Sequence, residues 1–164
     1  MAKSGEVPVE TKEHTQGIGG IVTNLLALET VLRYFLLKLN GEEVQFPAVD
    51  DREAKITYLT RFAHLSKLIS EYHAALSETE KEKYALDTSV VPIRNAFAHG
   101  RLLTSTELPA RLWKFGSHKL GKVVDIEFCE EMTAEWLKKT TLMVDQQRQK
   151  VVDCFHARGY QGLR

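Results

Sequence analysis

Apolar residues fall at positions 18, 21, 22, 25, 28, 32, 35 and 39, the alternating three-and-four step of a helix, and predict a long one over roughly 13–40. Leu26, Leu36 and Leu37 widen its stripe beyond one face, so this helix is either central or shared with a partner subunit. The polar residues 1–11, Pro8 among them, are expected to be frayed ahead of it. Asn40-Gly41 and Pro47 in "NGEEVQFPAVD" break it. A second helix is expected from Asp50 or Asp51, acidic residues suited to a helix start, to about Leu76, with Ile56, Leu59, Phe62, Ala63, Leu65, Ile69 and Tyr72 turned inward. "SETEKEKY" then opens a turn or short helix, with Ser77 and Glu80 at capping-box spacing. Thr88 or Ser89 caps a further helix. Pro92 falls in its first turn, where a missing amide is tolerated, and it ends near Gly100.

The period changes over 102–128. Thr, Gly and Pro accumulate, and "KVVDIEF" alternates, with Val124, Ile126 and Phe128 on one face and Val123, Asp125 and Glu127 on the other. With "ARLWKFG" before it and "SHKLG" as the turn, this reads as a β-hairpin. A last helix over about 130–158 carries Met132, Trp136, Met143, Val144, Val151 and Phe155 inward and stops at Gly159. The expected fold is therefore all-α, a four- to five-helix bundle with a β-hairpin inserted before the last long helix. The whole of 1–164 forms a single domain, with no internal repeat and no low-complexity tract.

Composition narrows the function more by exclusion than by indication. The 22 Lys and Arg balance the 22 Asp and Glu, so no global field favours nucleic acid or membrane. The halves differ mildly: residues 1–87 carry 10 basic and 14 acidic side chains, residues 88–164 carry 12 and 8. Cys129 and Cys154 lack CxxC spacing and read as buried free thiols of a reducing compartment. "IGGIVTNLLALETVLRYFLLKLN" is apolar-rich, but Thr23, Asn24, Glu29, Arg33 and Lys38 interrupt it, so it reads as too polar to span a bilayer. No signal peptide is read at the start, and the expected location is cytoplasmic. Neither GxGxxG, P-loop nor HExxH occurs, which disfavours nucleotide-dependent and zinc-peptidase chemistry; no cofactor and no metal are expected.

The stretch "VPIRNAFAHGRL", residues 91–102, carries the candidate chemistry. At about 100° per residue, Val90, Ile93 and Phe97 fall within about 60° of one another and form the buried stripe. His99 lies roughly opposite, with Asn95 one turn before it on the same side, and Arg94 is about 140° around the axis. Pro92, Ala96 and Gly100 run beside the histidine as a compact stripe that would let a second helix approach. An arginine can hold a phosphate bidentately, an imidazole can move a proton at neutral pH, and an asparagine can orient that ring. These are the parts for cleaving RNA without a metal. One histidine cannot easily be both base and acid, whereas two copies across a dimer axis can. The bland reading is a solvated Arg/Asn/His face.

"RNAFAHG" resembles the R-x4–6-H motif of the HEPN superfamily, including the polar residue directly after the arginine. Those domains are all-α, of about this length, with the motif on a late helix of the bundle. The resemblance implies a homodimeric, metal-independent endoribonuclease acting on RNA, often the toxin of a toxin–antitoxin pair or a phage-defence component. Arg94 and His99 of both subunits, with Asn95, would line a cleft at the interface. Other members are non-catalytic modules that bind a partner protein or a nucleotide. In toxins silenced by a nucleotidyltransferase antitoxin a tyrosine follows two residues after the histidine; here that position is Arg101, so this form of control is not implied. The second R-x6-H match, Arg111 to His118, is set aside because it lies in the hairpin.

The remaining basic residues admit two readings. Arg101, and the hairpin's Arg111, Lys114, His118, Lys119 and Lys122 interleaved with Trp113 and Phe115, could guide RNA through phosphate contacts and base stacking. More often such a pattern is an exposed hairpin whose aromatics pack on their own domain. His64 and His73 are nine apart on a helix and do not share a face, which makes a zinc pair improbable. His14 and His156 lie near helix ends, where bland roles suffice.

Overall fold

The computed structural model describes residues 9–44, 47–105 and 109–164, and their side chains except those of 9–11 and 118–120. Among them are five helices and one small antiparallel sheet: α1 (Val9–Leu39), α2 (Leu65–Ala75), α3 (Glu78–Tyr84), α4 (Val90–His99), β1 (Arg101–Leu103), β2 (Arg111–Leu120), β3 (Val123–Glu131) and α5 (Ala134–Ala157). The chain is thus mostly helical, with the sheet placed before the last helix, an arrangement compatible with a helical bundle. It divides into two compact units, Met1–Asn24 with Pro92–Val144, and Leu25–Val91 with Asp145–Arg164.

In the first unit the opening half of α1 packs on the opening half of α5 through small residues. A Cβ at Gly17 would lie 2.9 Å from Leu137 Cδ1, so only glycine fits against that leucine without a shift. Two turns further along α1, Asn24 Nδ2 donates to the Thr141 carbonyl at 3.2 Å. His14 Nε2 donates to the Met132 carbonyl at 2.7 Å, tying the helix to the entry of α5. Ile21, Ala96, Leu112, Met132, Leu137 and Val144 are buried here.

The expected hairpin is present, and it gains a third strand. The order is β1-β2-β3, both pairings antiparallel. "SHKL" is not the turn: β2 runs on to Leu120, which pairs with Val123, and Gly121-Lys122 make a two-residue turn. Gly121 has φ +62 and takes the first position, where a type II′ hairpin turn requires glycine. The register shifts on both sides of Phe115, and β3 stays exposed along most of its length. Cys129 is therefore exposed, against the expectation of two buried thiols, because it sits on an edge strand rather than under one.

In the second unit the rest of α1 supplies the core. Leu25, Leu28, Leu32, Phe35 and Leu37 are buried, and Phe35 meets Tyr72 edge-on at 5.0 Å. By length and composition Lys12–Leu39 would pass for a membrane span despite its polar residues; these leucines and Phe35 are instead buried in the protein. The helix expected from residue 50 begins only at Leu65. Ile56 and Phe62, expected inward, are 85% and 86% exposed. Two things defeat the helix. Thr57 and Thr60 bond locally to the backbone of Leu59, Thr57 and Lys55, an alternative to the helical ladder. Arg33 takes the carbonyls of Tyr58, Arg61 and Ala63 at 2.7–3.3 Å, and those groups then point at α1 rather than along a helix axis. The capping box at α3 forms as read, with Ser77 and Glu80 reciprocally bonded to each other's amides. Gly159, φ +79, ends α5, with Gly159 N and Tyr160 N bonding back to the His156 and Phe155 carbonyls.

The frayed segment read at 1–11 lies outside the described residues up to 8; Val9–Thr11 are already helical.

Candidate functional site

α4 opens behind Asp87, whose Oδ1 accepts from Ser89 N at 2.9 Å, so the side chain bonding at this start is Asp87 rather than Thr88 or Ser89. That bond holds the Asp87 carboxyl below its usual range. Pro92 is exposed in the first turn. Val90 and Ile93 are buried as read, and Ala96 with them, whereas Phe97 is only half-buried. The inward stripe is therefore 90-93-96 rather than 90-93-97.

That shift corrects one expectation. The compact stripe Pro92-Ala96-Gly100 is not open to a second helix along its length, because Ala96 is fully buried and Gly100 is covered by the chain's own sheet. A Cβ at residue 100 would lie 2.5 Å from the Trp113 carbonyl oxygen and 2.2 Å from that of Ala96. Glycine is what lets the chain leave α4 and enter β1 in a single residue. The junction places His99 and Arg101 on either side of Gly100, at the end of a helix and the start of a strand.

His99 is exposed at the last position of α4, and Asn95, half-buried, stands one turn before it. Among the described residues neither has a hydrogen-bond partner in the chain. Arg94 is half-buried and is engaged within the chain, and by helical spacing it lies about 140° from His99. A single copy thus offers His99 and Asn95 together on one side of α4, with Arg94 apart from them.

The tentative RNA contacts behave differently from one another. Arg101 is exposed and lies 5.5 Å above the Phe115 ring, which stacks on Trp113 at 5.8 Å and 24°. Lys114 is closed on Glu127, and Arg111 stands 4.0 Å from Glu131, its register partner on β3. Lys122 is exposed in the turn. The side chains of His118 and Lys119 lie outside the described residues. With Arg101 of β1, the sheet and its turn contain five Lys or Arg (101, 111, 114, 119, 122) and four Asp or Glu (125, 127, 130, 131), so its charge is nearly balanced.

No group of three His, Cys, Asp or Glu among the described residues is arranged to hold a metal. His73, weighed from sequence only as a zinc partner for His64, has another role: its Nε2 accepts the backbone N–H of Leu86 at 2.8 Å. No spacing rule could have found a ring meeting an amide thirteen residues later.

The chain matches no family model, and neither a curated protein nor a solved structure is found similar to it.

Proposed function

We propose that the chain is a metal-independent endoribonuclease of HEPN type that works as a homodimer. The observation that carries this reading is His99, exposed at the end of α4 with Asn95 one turn behind it and no hydrogen-bond partner for either side chain among the described residues. A histidine with a structural duty would have a ring nitrogen occupied, as Nε2 of His14 and Nε2 of His73 are. In the proposed reaction one His99 removes the ribose 2′-hydroxyl proton and the 2′-oxygen attacks phosphorus. The His99 of the second copy protonates the departing 5′-oxygen, leaving a 2′,3′-cyclic phosphate and a 5′-hydroxyl. Asn95 orients the imidazole. Arg94, set apart from His99 on its own helix, clamps the phosphate across the dimer, and Arg101 is the nearest exposed cation in sequence. Growth control or phage defence, with an antitoxin protein as regulator, is the setting the resemblance implies, and the cytoplasm is the compartment.

The test pairs wild type with His99→Ala. Expression in a bacterium should arrest growth for wild type alone. Purified wild type should cut RNA in EDTA to cyclic-phosphate ends, and the variant should lose at least about a hundredfold in rate, the usual worth of a general acid–base. Equal cleavage by folded His99→Ala would remove the site from the chemistry.

A second reading, a non-catalytic HEPN-like module for a partner protein or nucleotide, is favoured by the sheet. Its Arg111 and Lys114 face carboxylates, while Trp113 and Phe115 stack beneath an exposed Arg101. Wild type that cuts nothing in EDTA yet binds a ligand lost on Arg101→Ala would establish it.

A further inference from the structure

We propose that His73 is a pH-sensitive latch on the connector Ala85–Ser89, closed when the ring is neutral and opened by its protonation. The proposal is independent of the ribonuclease reading.

The connector has no regular structure between α3 and α4 and is held by side chains that each take one backbone group. Lys150 Nζ donates to the Ala85 carbonyl at 2.9 Å, Leu86 N donates to His73 Nε2 at 2.8 Å, and Asp87 N donates to Gln147 Oε1 at 2.8 Å. Asp87 then closes on Ser89 N. Leu86 itself is only 5% exposed, so its amide has no ready access to water and depends on the histidine. To accept that bond, Nε2 must carry a lone pair, which puts the ring's single proton on Nδ1. A protonated ring has N–H on both nitrogens. Two donors would then face each other, and the bond cannot survive.

The charged groups on the surrounding elements argue the same way. On α3, Lys81 opposes a second positive charge at the ring, and Glu80 is bound by Arg158 in the turn after α5, which also holds the Ala75 carbonyl. On α5, Lys150 adds a further cation at Ala85, and Asp87 is occupied by Ser89. On α2 itself the neighbour is the Tyr72 ring, 5.9 Å away. Partial burial first, and Lys81 second, hold the His73 imidazole below its ordinary value. Asp87 and Glu80 are kept ionised by their own hydrogen bonds well below the range in which an imidazole titrates. Among the groups that hold the connector, the ring is therefore the element that changes state in mild acid.

The experiment is amide exchange at Leu86 in the full chain, corrected for intrinsic rate, from pH 7.5 to pH 5, with the amide of Leu68 in the first turn of α2, bonded to the His64 carbonyl, as control. Nitrogen chemical shifts of the His73 ring are followed in the same samples. The expected result is a ring protonated on Nδ1 at pH 7.5. Leu86 protection then falls by up to about tenfold per pH unit below about 6.5, while Leu68 holds. His73→Gln, which keeps an acceptor that does not titrate, should make Leu86 protection independent of pH. Protection that stays flat while the ring titrates, or a neutral ring protonated on Nε2, overturns the latch. Both results come from the wild-type chain and stand even if the variant fails to fold.

Discussion

Glu80 and Arg158 make the best-formed ion pair among the described residues: Arg158 Nε and Nη2 each donate to one carboxylate oxygen at 2.8 Å, and Nη2 also holds the Ala75 carbonyl. The fork geometry matches the carboxylate's two oxygens, which a lysine cannot do. Hydrogen bonding to Arg158 first, and to Ser77 second, pulls the Glu80 carboxyl down to about 2. A carboxyl whose folded value is depressed contributes stability that is complete above its unfolded value near 4.5 and is lost as pH falls from there to about 2. With water at the pair, we expect Glu80→Gln to cost about 1–2 kcal/mol at pH 7. That cost should disappear by about pH 2, as read from urea midpoints of wild type and variant across this range. A penalty independent of pH would mean that Glu80 does not act through its charge, since glutamine can still serve as the N3 partner of the capping box. Two neighbouring groups move the other way: burial raises both the Tyr72 phenol and the Cys154 thiol, keeping them neutral and inert.

At the scale of elements, what was legible followed from periodicity and punctuation. α1, the α3 capping box, α4, the hairpin and α5 with its glycine stop could all be read, because local propensity and burial agree there. The helix expected over residues 50–64 could not be corrected from sequence. Arg33, some thirty residues away, takes the carbonyls such a helix would need. The third strand was missed for a related reason: β1 is three residues long and exists by pairing with β2. Gly100 shows the same limit. It read as a helix stop, yet its role is a close approach to the Trp113 carbonyl. Gly100→Ala should therefore destabilise by about 1–3 kcal/mol or more, as over-packing against backbone does. Gly19→Ala, with nothing within 4 Å of its added Cβ, should instead be neutral or stabilising by up to about 1 kcal/mol. Thermal melts of the two variants side by side check this, and an equal loss in both would show that the α4–β1 junction can yield.

For the molecule as a whole, the deciding quantity is charge. The chain is neutral, with 22 cations against 22 anions, and β3 sets carboxylates opposite Arg111 and Lys114 of β2. A protein that gripped RNA mainly by its phosphates would lose affinity steeply with salt, by about 0.7 in log K per log salt for each single-strand phosphate neutralised. Here Arg101 and Lys122 are exposed and Arg94 is half-buried, so two or three phosphates per chain is the reach. If the ribonuclease reading holds, the His99→Ala dimer should bind single-stranded RNA with a slope of about −3 to −4, and turnover rather than grip should set the rate. Binding of this variant by fluorescence anisotropy between low and physiological salt measures that slope. A value of about −6 or steeper would mean that Arg111 and Lys114 leave Glu131 and Glu127 to meet the strand, making the hairpin part of the RNA surface after all. No binding at any salt, from a variant that still folds, would turn the same balance of charge into an argument for a protein partner.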